Sequence, residues 1–401
     1  MKKIYYGKAV YNSKEINAVI NVLKKEGLSL VDGKNVKKLE KTVSKMFGKK
    51  YGLMVNSGSS ANLLGLSSFN FKKGSEIITP NLTFSTTIAP IYQLGLIPHF
   101  IGVEKNKFLA DPTQIEKCIN KKTVALMIPN LLGNIADWKK IFKIAKKYNL
   151  KVIEDSADTI GYKINKKNTG KYSDVVTNSF YASHIINGAG TGGIVCFNDF
   201  NLYQRAKLLR GWGRSSAIFN ESEGVKLRFS KKVNGIPYDG KYIFSAMGYN
   251  FLPSEISAAF AIEQIKKLKK NINTRSKNFE KLFNFFKKFE NFFELPSQNK
   301  DLKTAWLAFP LLIKNKSKLE RKKLQIFLEN NGIQTRTIFT GNILRQPIMK
   351  NKKFKKFSPK FPNSDNVMKN GILIGCHHGL TDKEIKYMMN KFSEFLKIKK
   401  F

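Results

Sequence analysis

The sequence is poor in cysteine and contains no long apolar run. Its three cysteines, Cys118, Cys196 and Cys376, lie far apart and form no CxxC or CxC pair, which argues against a disulfide framework and a cysteine-clustered metal site. No stretch approaches the ~18 apolar residues of a membrane helix, and the N-terminal MKKIYYGKAVYNSKE lacks the apolar segment of a secretory signal. We therefore expect a cytoplasmic protein with no membrane partner and no bound metal.

Acidic residues are also scarce. The 29 aspartates and glutamates face 71 lysines and arginines, which gives a formal net charge of +42. Such an excess is typical of proteins that bind nucleic acid. However, the lysines occur as doublets along the whole chain, and no helix or tail combines them with aromatic residues as a nucleic-acid groove would. We interpret the charge as a solvated surface that attracts anionic small molecules, and we expect no nucleic-acid partner.

The length of 401 residues exceeds the ~250–300 at which one hydrophobic core usually stops growing, so two domains are expected. Short apolar runs alternate with helical patterns in the first half of the chain, which predicts an α/β domain built on a buried, mostly parallel sheet. The predicted strands are Tyr51–Val55, Glu76–Thr79, Val124–Pro129, Lys151–Glu154, Val175–Ser179 and Gly193–Phe197.

The second half of the chain has a different composition. Ser254–Lys270 has helical spacing and predicts a long connecting helix. A region rich in lysine and phenylalanine follows, with a strand near Ala305–Ile313, a helix near Leu319–Asn330 and a terminal helix from Asp382. We predict a large domain over residues 1–270 and a smaller α+β domain over residues 271–401, with the N-terminal segment crossing to the small domain or to a partner.

Polar motifs follow three of the predicted strands. Asn56–Asn62 opens a helix with free backbone amides and small hydroxyls, which predicts a phosphate cradle. Asp155 ends a buried strand, and a carboxylate at that edge can hold a pyridinium nitrogen protonated. Phe84 follows another strand and can stack on an aromatic ring. Each has a structural alternative: a serine-rich helix start, a helix cap by Asp155 or Asp158, and a packed loop phenylalanine.

Six motifs in order resemble the DegT/StrS family of sugar aminotransferases, which are fold-type I pyridoxal-phosphate enzymes. They are Ser57-Gly58-Ser59, Pro80–Phe84, Glu154–Ala157, Ser179–Ser183, Gly190–Gly193 and Gly248–Asn250. The similarity spans most of the chain. It implies the pyridoxal-phosphate-dependent transferase fold, with a mostly parallel sheet of seven-stranded type in the large domain.

The resemblance also implies roles for individual residues. The implied cofactor contacts are Gly58, Ser59 and Ser179 for the phosphate, Phe84 for the ring face and Asp155 for the ring nitrogen, with Asp158 in the same group. Asn250 is implied to reach the cofactor phosphate of the neighbouring subunit. We therefore expect a homodimer in which each active site needs both chains.

One position departs from the family pattern. Family aminotransferases have a lysine five residues after the phosphate serine, where it forms a Schiff base with the cofactor, but that position is His184 here. Imidazole cannot form this bond, and no lysine occurs from Ser173 through Arg205. The pattern resembles a branch of 3-dehydratases that act on nucleotide-linked 4-keto-6-deoxyhexoses. In that branch pyridoxamine phosphate is bound without a covalent link, and His184 would act as the general base.

We therefore predict a pyridoxamine-phosphate-dependent 3-dehydratase of dideoxysugar and lipopolysaccharide O-antigen biosynthesis, with L-glutamate as amino donor. A related subtype uses an iron–sulfur cluster, but its cysteine positions are Ala157, Ser216 and Ile218 here, so no cluster is expected. The alternatives are a nucleotide-sugar aminotransferase of the same family and a non-catalytic regulatory member.

The substrate side of the site is less well defined by sequence. Forked donors suit a diphosphate or a carboxylate, and the predicted contacts to the nucleotide-diphosphate sugar are Arg214, Arg336, Asn342 and Arg345. These residues fit either a GDP- or a CDP-linked sugar, so the nucleotide stays open. We interpret His377 and His378 as surface or substrate-loop residues rather than metal ligands.

Overall fold

The computed structural model describes residues 3–24, 30–164, 167–219, 224–299, 302 and 304–398. Its helices are α1 (Ser13–Leu23), α2 (Lys34–Met46), α3 (Gly58–Ser67), α4 (Ser85–Gln93), α5 (Pro112–Cys118), α6 (Trp138–Lys147), α7 (Phe200–Arg210), α8 (Val225–Phe229), α9 (Glu255–Lys287), α10 (Arg321–Asn330), α11 (Pro362–Asn370) and α12 (Asp382–Ile398). Its strands are β1 (Tyr51–Val55), β2 (Glu76–Pro80), β3 (Ile97–Ile101), β4 (Thr123–Pro129), β5 (Lys151–Asp155), β6 (Lys163–Ile164), β7 (Lys167–Asn168), β8 (Val175–Ser179), β9 (Gly193–Phe197), β10 (Lys231–Val233), β11 (Ile236–Tyr238), β12 (Phe293–Glu294), β13 (Phe309–Ile313), β14 (Lys355–Lys356) and β15 (Gly371–Ile374).

A large sheet has the strand order β1-β9-β8-β5-β4-β2-β3-β14. Strand β9 runs antiparallel to both of its neighbours, and the other neighbouring pairs are parallel. The mostly parallel sheet is therefore present, and the two-residue strand β14 extends it to eight strands.

Apolar cores cover both faces of this sheet, which explains why its strands are largely buried and rich in apolar residues. Successive residues of β1 alternate between the cores: Met54 packs with α2 and α6, whereas Leu53 and Val55 pack with α3 and α7. Strand β5 behaves in the same way, because Val152 and Ile153 belong to opposite cores. The sheet thus lies between two layers of helices, and the loops at its carboxyl edge follow strands that are packed on both faces.

Helix α9 connects the sheet to the C-terminal part. The Ser254 hydroxyl caps its start by accepting a hydrogen bond from the backbone N–H of Ile256 at 3.2 Å. The helix continues to Lys287, beyond the predicted end at Lys270, because Leu282 and Phe286 are buried in the C-terminal core. Since the helix passes residue 270 without a break, the boundary between the two domains stays a prediction.

The C-terminal part contains a small antiparallel sheet, β12-β13-β15, covered by α10, α11 and α12. The N-terminal segment crosses to this part: the Ile4 N–H donates to Gly332 O at 2.8 Å, and the Gln334 N–H donates to Ile4 O at 2.9 Å. This crossing was expected. It brings Tyr6 to the cavity described below.

In the described part of the chain, no helix combines the length and apolar character that a membrane span needs. The same residues contain no group of three His, Cys, Asp or Glu side chains arranged to hold a metal ion. The three cysteines are free and buried.

Candidate active site

A cavity of about 400 Å³ lies where β1, β2, β5 and β8 end. Loops of the large sheet form most of its wall, while Tyr6, Leu307 and Phe339 close it from the N-terminal segment and the C-terminal part. Its lining includes seven of the predicted site residues: Gly58, Ser59, Phe84, Asp155, Asp158, Ser179 and His184. The structure thus brings the predicted cofactor contacts of one chain to a single cavity.

The start of α3 forms one end of the cavity. The Ser57 hydroxyl caps this helix by accepting a hydrogen bond from the Ser60 N–H at 3.0 Å. The helix start lies against β8 so closely that a Cβ on Gly58 would be 2.5 Å from the Ser179 Cβ. Only glycine allows this approach, which places a positive helix end beside the Ser179 hydroxyl. This arrangement fits the phosphate of a cofactor.

Asp155 is a buried carboxylate in the cavity wall. Its Oδ2 accepts hydrogen bonds from Asn62 Nδ2 at 2.9 Å and Thr87 Oγ1 at 2.8 Å, and its Oδ1 accepts one from the Ala157 N–H at 3.1 Å. Burial raises its pKa, and these hydrogen bonds oppose the rise. Within the described ranges, no cationic side chain forms an ion pair with it. A protonated ring nitrogen would supply the missing positive charge.

His184 lies in a tight turn after β8. Its backbone N–H donates a hydrogen bond to Tyr181 O at 3.0 Å, and its imidazole ring stands edge-on to the Tyr181 ring with centroids 5.8 Å apart. Burial lowers its pKa to about 4. Its Nδ1 has no hydrogen-bond partner among the residues that the structure describes. The imidazole is therefore neutral at neutral pH and can accept a proton.

Asp158 is the ionisable group next to this imidazole. Its Oδ1 lies 3.8 Å from His184 Nε2, and its Oδ2 accepts a hydrogen bond from the Leu132 N–H at 2.8 Å. Burial raises the pKa of Asp158 to about 7. It was predicted as a cofactor contact, and the structure places it in the cavity wall beside the histidine.

Phe84 stands at the entrance of the cavity with half of its side chain exposed. Its ring meets Phe339 edge-on, with centroids 6.1 Å apart and an interplanar angle of 74°. One face of the Phe84 ring is therefore free to stack on a planar ligand.

Two predicted residues lie away from this cavity. Asn250 is exposed and pairs with Gly211 in an isolated bridge. The Arg214 guanidinium lies among three aromatic rings, with centroid distances of 4.3 Å to Trp212, 5.2 Å to Tyr242 and 5.7 Å to Phe244. Within one chain neither residue lines the cavity, so any contact they make with it must come from a second subunit.

Of the three remaining predicted substrate contacts, one lies at the cavity rim and two are bonded to other side chains. Arg336 is exposed at the cavity rim, 5.3 Å from the centroid of the Tyr6 ring. Asn342 is buried; its Oδ1 accepts from Asn81 Nδ2 at 2.9 Å and its Nδ2 donates to Asp365 at 2.7 Å. Arg345 forms a forked pair with Asp365 at 2.6 and 2.8 Å. The last two side chains are thus engaged within the fold.

His377 and His378 were interpreted as surface or substrate-loop residues, but the structure buries His377 and partly buries His378. His377 is buried, with its Nε2 at 3.1 Å from Tyr5 O and its Nδ1 accepting from the Gly379 N–H at 3.2 Å. His378 Nδ1 accepts a hydrogen bond from Arg275 Nε at 3.2 Å. Both histidines tie the C-terminal part to neighbouring segments.

Several side chains around the cavity were not predicted. Asn62 and Thr87 both donate hydrogen bonds to Asp155. They lie at the starts of the helices that follow β1 and β2, within or just after the motifs at Asn56–Asn62 and Pro80–Phe84, so their proximity to the site could have been predicted. Tyr6, Arg275 and Phe339 come from distant parts of the chain. They carry no local pattern that could identify them.

Residues 10–393 match the model of the DegT/DnrJ/EryC1/StrS aminotransferase family. The chain belongs to this family. One relative, the GDP-4-keto-6-deoxy-D-mannose 3-dehydratase of Yersinia pseudotuberculosis, is 32% identical over 398 residues, which cover 95% of this chain and 96% of that protein. The lipopolysaccharide biosynthesis protein RfbH of Salmonella typhimurium is 33% identical over 367 residues, which cover 89% of this chain and 84% of that protein.

The solved structures agree with this family assignment. The E. coli GDP-4-keto-6-deoxy-D-mannose-3-dehydratase with bound hydrated PLP superposes with a TM-score of 0.86 at 30% identity, covering 98% of this chain and 99% of that one. The predicted fold class, the fold-type I pyridoxal-phosphate transferase fold, is confirmed. An aminotransferase of Helicobacter pylori shares the fold at 23% identity with a TM-score of 0.84, so the fold of this family does not by itself separate dehydratase from aminotransferase.

Proposed function

We propose that this protein is a pyridoxamine-phosphate-dependent 3-dehydratase of a nucleotide-linked 4-keto-6-deoxyhexose in dideoxysugar and lipopolysaccharide biosynthesis. The observation that carries the proposal is a neutral histidine, His184, in the cavity at the position of the family lysine. Relatives named as 3-dehydratases support it, since their similarity extends over nearly the whole chain. The cytoplasmic location stays a prediction.

The cavity fits the cofactor without a covalent link. Gly58, Ser59 and Ser179 would hold the phosphate at the start of α3, Asp155 would keep the ring nitrogen protonated, and the free face of Phe84 would pack on the ring. When bound, the cofactor supplies an amine for the C4 ketone of the sugar and a ring that accepts electrons. L-glutamate restores the amine form after each turnover.

His184 handles the proton of the reaction. As a buried neutral imidazole, it accepts the proton that leaves the reacting carbon. It then returns a proton to the C3 oxygen of the sugar, which departs as water. A carboxylate at Asp158, 3.8 Å away, stabilises the imidazolium between these two events. Loss of water leaves an enamine of the sugar, and its imine tautomer takes up water, so the product is a 4-keto-3,6-dideoxyhexose and ammonia.

Positive groups at the cavity rim bind the nucleotide diphosphate. Arg336 lies beside Tyr6 at the opening and offers a forked donor to a diphosphate or to the glutamate carboxylate. Arg214 and Asn250 complete the site from the partner subunit. For Asn342 and Arg345, a substrate role requires release of their contacts with Asp365.

Products of one turnover test the proposed function. Purified protein supplied with pyridoxal phosphate, L-glutamate and GDP-4-keto-6-deoxymannose should release 2-oxoglutarate and ammonia together, in the absence of iron or a reductase. Mass spectrometry should show that the sugar has lost its C3 oxygen, and the CDP-linked sugar run in parallel identifies the nucleotide. A 4-amino sugar would instead show an aminotransferase. Failure to bind the cofactor, combined with salt-sensitive retention on DNA, would favour the regulatory alternative.

We expect a homodimer, because exposed apolar side chains lie near Arg214 and Asn250, the residues proposed to complete the active site of the partner subunit. Met247 is 96% exposed in the single chain and Phe244 56%, and such patches mark interaction surfaces. Sedimentation velocity should give twice the mass of one chain. An Asn250→Ala variant should remain a dimer and bind the cofactor more weakly. A monomer that holds the cofactor tightly would contradict the shared site.

A further inference from the structure

Arg275 is a fully buried arginine in the middle of α9. Its guanidinium donates to Leu307 O at 3.0 Å, to Trp306 O at 3.4 Å and to His184 O at 3.4 Å. Among the residues that the structure describes, no carboxylate lies within salt-bridge distance of it. A buried guanidinium bonded to carbonyls and a neutral ring keeps its full charge, and that charge acts over a longer range than it would in water.

The imidazole of His184 faces ionisable groups from several elements. They are Asp155 at the end of β5, Asp158 after this strand, Tyr181 on its own turn, Tyr6 from the N-terminal segment, Arg275 from α9 and, behind Arg275, His378. Arg336 lies at the exposed rim beside Tyr6. Of the two arginines, Arg275 is the fully buried one, and it contacts the backbone carbonyl of His184.

The charge of Arg275 acts on both members of the His184 and Asp158 pair. It adds to burial in lowering the pKa of His184, and it opposes the rise that burial causes in the pKa of Asp158. Both effects favour a neutral imidazole beside a carboxylate. A neutral imidazole is the form that accepts a proton.

We propose that Arg275 is a positioning residue for His184. It fixes the histidine turn through the His184 carbonyl, and its charge adds to burial in disfavouring protonation of the imidazole. The same guanidinium binds the carbonyls of Trp306 and Leu307 and the ring of His378, so it ties α9 and the C-terminal part to the catalytic turn. The functional consequence rests on the proposed role of His184 as the base.

Two variants separate charge from hydrogen bonding. Arg275→Gln retains amide donors without the charge, and Arg275→Lys retains the charge with fewer donors. The chain has four histidines, so ¹³C-histidine NMR of the full-length, cofactor-free protein can follow His184, assigned with His184→Asn. Arg275→Gln should raise the His184 titration midpoint by about one pH unit, and Arg275→Lys should leave it unchanged.

Activity of the cofactor-loaded enzyme gives a second readout. A higher midpoint protonates His184 at higher pH, so the acidic limb of the kcat/KM profile should move up in Arg275→Gln by the shift that NMR reports. Arg210→Gln is the matched control: it removes another buried arginine, paired with Asp32 and Glu40, and should leave the His184 midpoint unchanged.

A folded Arg275→Gln protein with an unchanged midpoint would overturn the proposal. If that variant does not fold, Arg275→Lys decides, since a shift of about one unit with the charge retained would equally overturn it. The NMR result does not depend on the reaction. A shifted midpoint in a protein that releases no 3-deoxy sugar would therefore reject the proposed function and leave the coupling of Arg275 to His184 intact.

Discussion

Replacing His184 by asparagine should stop the release of ammonia and of the 3-deoxy sugar together, lowering kcat by about 10²–10⁴-fold. The amide has a similar shape, but it can neither take a proton from the reacting carbon nor return one to the C3 oxygen. Coupled assays for ammonia and mass spectrometry of the sugar measure both products. Because the phosphate cradle at Gly58 and Ser179 is unchanged, the variant should still bind the cofactor, which absorbance titration checks.

The His184→Lys variant is the complementary change. It should form a covalent lysine link with pyridoxal phosphate and lose dehydration. Borohydride reduction followed by mass spectrometry should find the pyridoxyl group on residue 184 of this variant and on no lysine of the unmodified protein. An adduct on a native lysine would overturn the non-covalent assignment and revive the aminotransferase alternative.

Much of the sheet could be predicted because most of its strands are short runs that are buried on both faces. The bounds of β1, β8 and β9 were predicted from short apolar runs, and the structure has the same bounds. Strand β3 was not predicted, because Pro98 and His99 interrupt its apolar pattern and its pairing with β2 depends on a distant segment. Strand β14 consists of two lysines and has no apolar signal.

The end of α9 was placed too early for a similar reason. Lys269 and Lys270 look like the basic last turn of a helix, but the side chains that continue it, such as Phe286, are buried against the C-terminal part. Tertiary packing decided the length of this helix, which the local sequence pattern did not reveal.

Site residues divide according to their distance along the chain from a strand end. Asp155 and Ser179 end β5 and β8, so the topology of a parallel sheet places them together. Arg275 lies in a different element, and its contact with the His184 carbonyl exists only in the folded chain. Asn342 shows the opposite case: its motif suggested substrate, whereas its amide is bonded to Asn81 and Asp365.

The Asp155→Asn substitution should also cause a large loss of reaction rate or cofactor affinity. The carboxylate is buried and has no cationic partner within the described residues of the chain, so a bound ring would supply its counter-charge. Losing one partner of a buried charge pair costs about 3–5 kcal/mol, which corresponds to ~10²–10⁴-fold in rate or affinity. The donors Asn62 and Thr87 both bond to Oδ2 and will hold the amide oxygen there, leaving an NH₂ group against the Ala157 N–H.

Cofactor titration would measure the loss of cofactor affinity, and single-turnover kinetics would measure the loss of rate. Thermal unfolding would show that the Asp155→Asn variant is folded. Asp158→Asn provides the matched control. It removes a neighbouring buried carboxylate that lies 3.8 Å from the histidine, so it should change the pH profile while sparing the absorbance that reports a protonated ring. An Asp155→Asn enzyme with unchanged rate and cofactor affinity would show that this carboxylate does not hold the ring nitrogen, and the cofactor would then have to lie differently in the cavity.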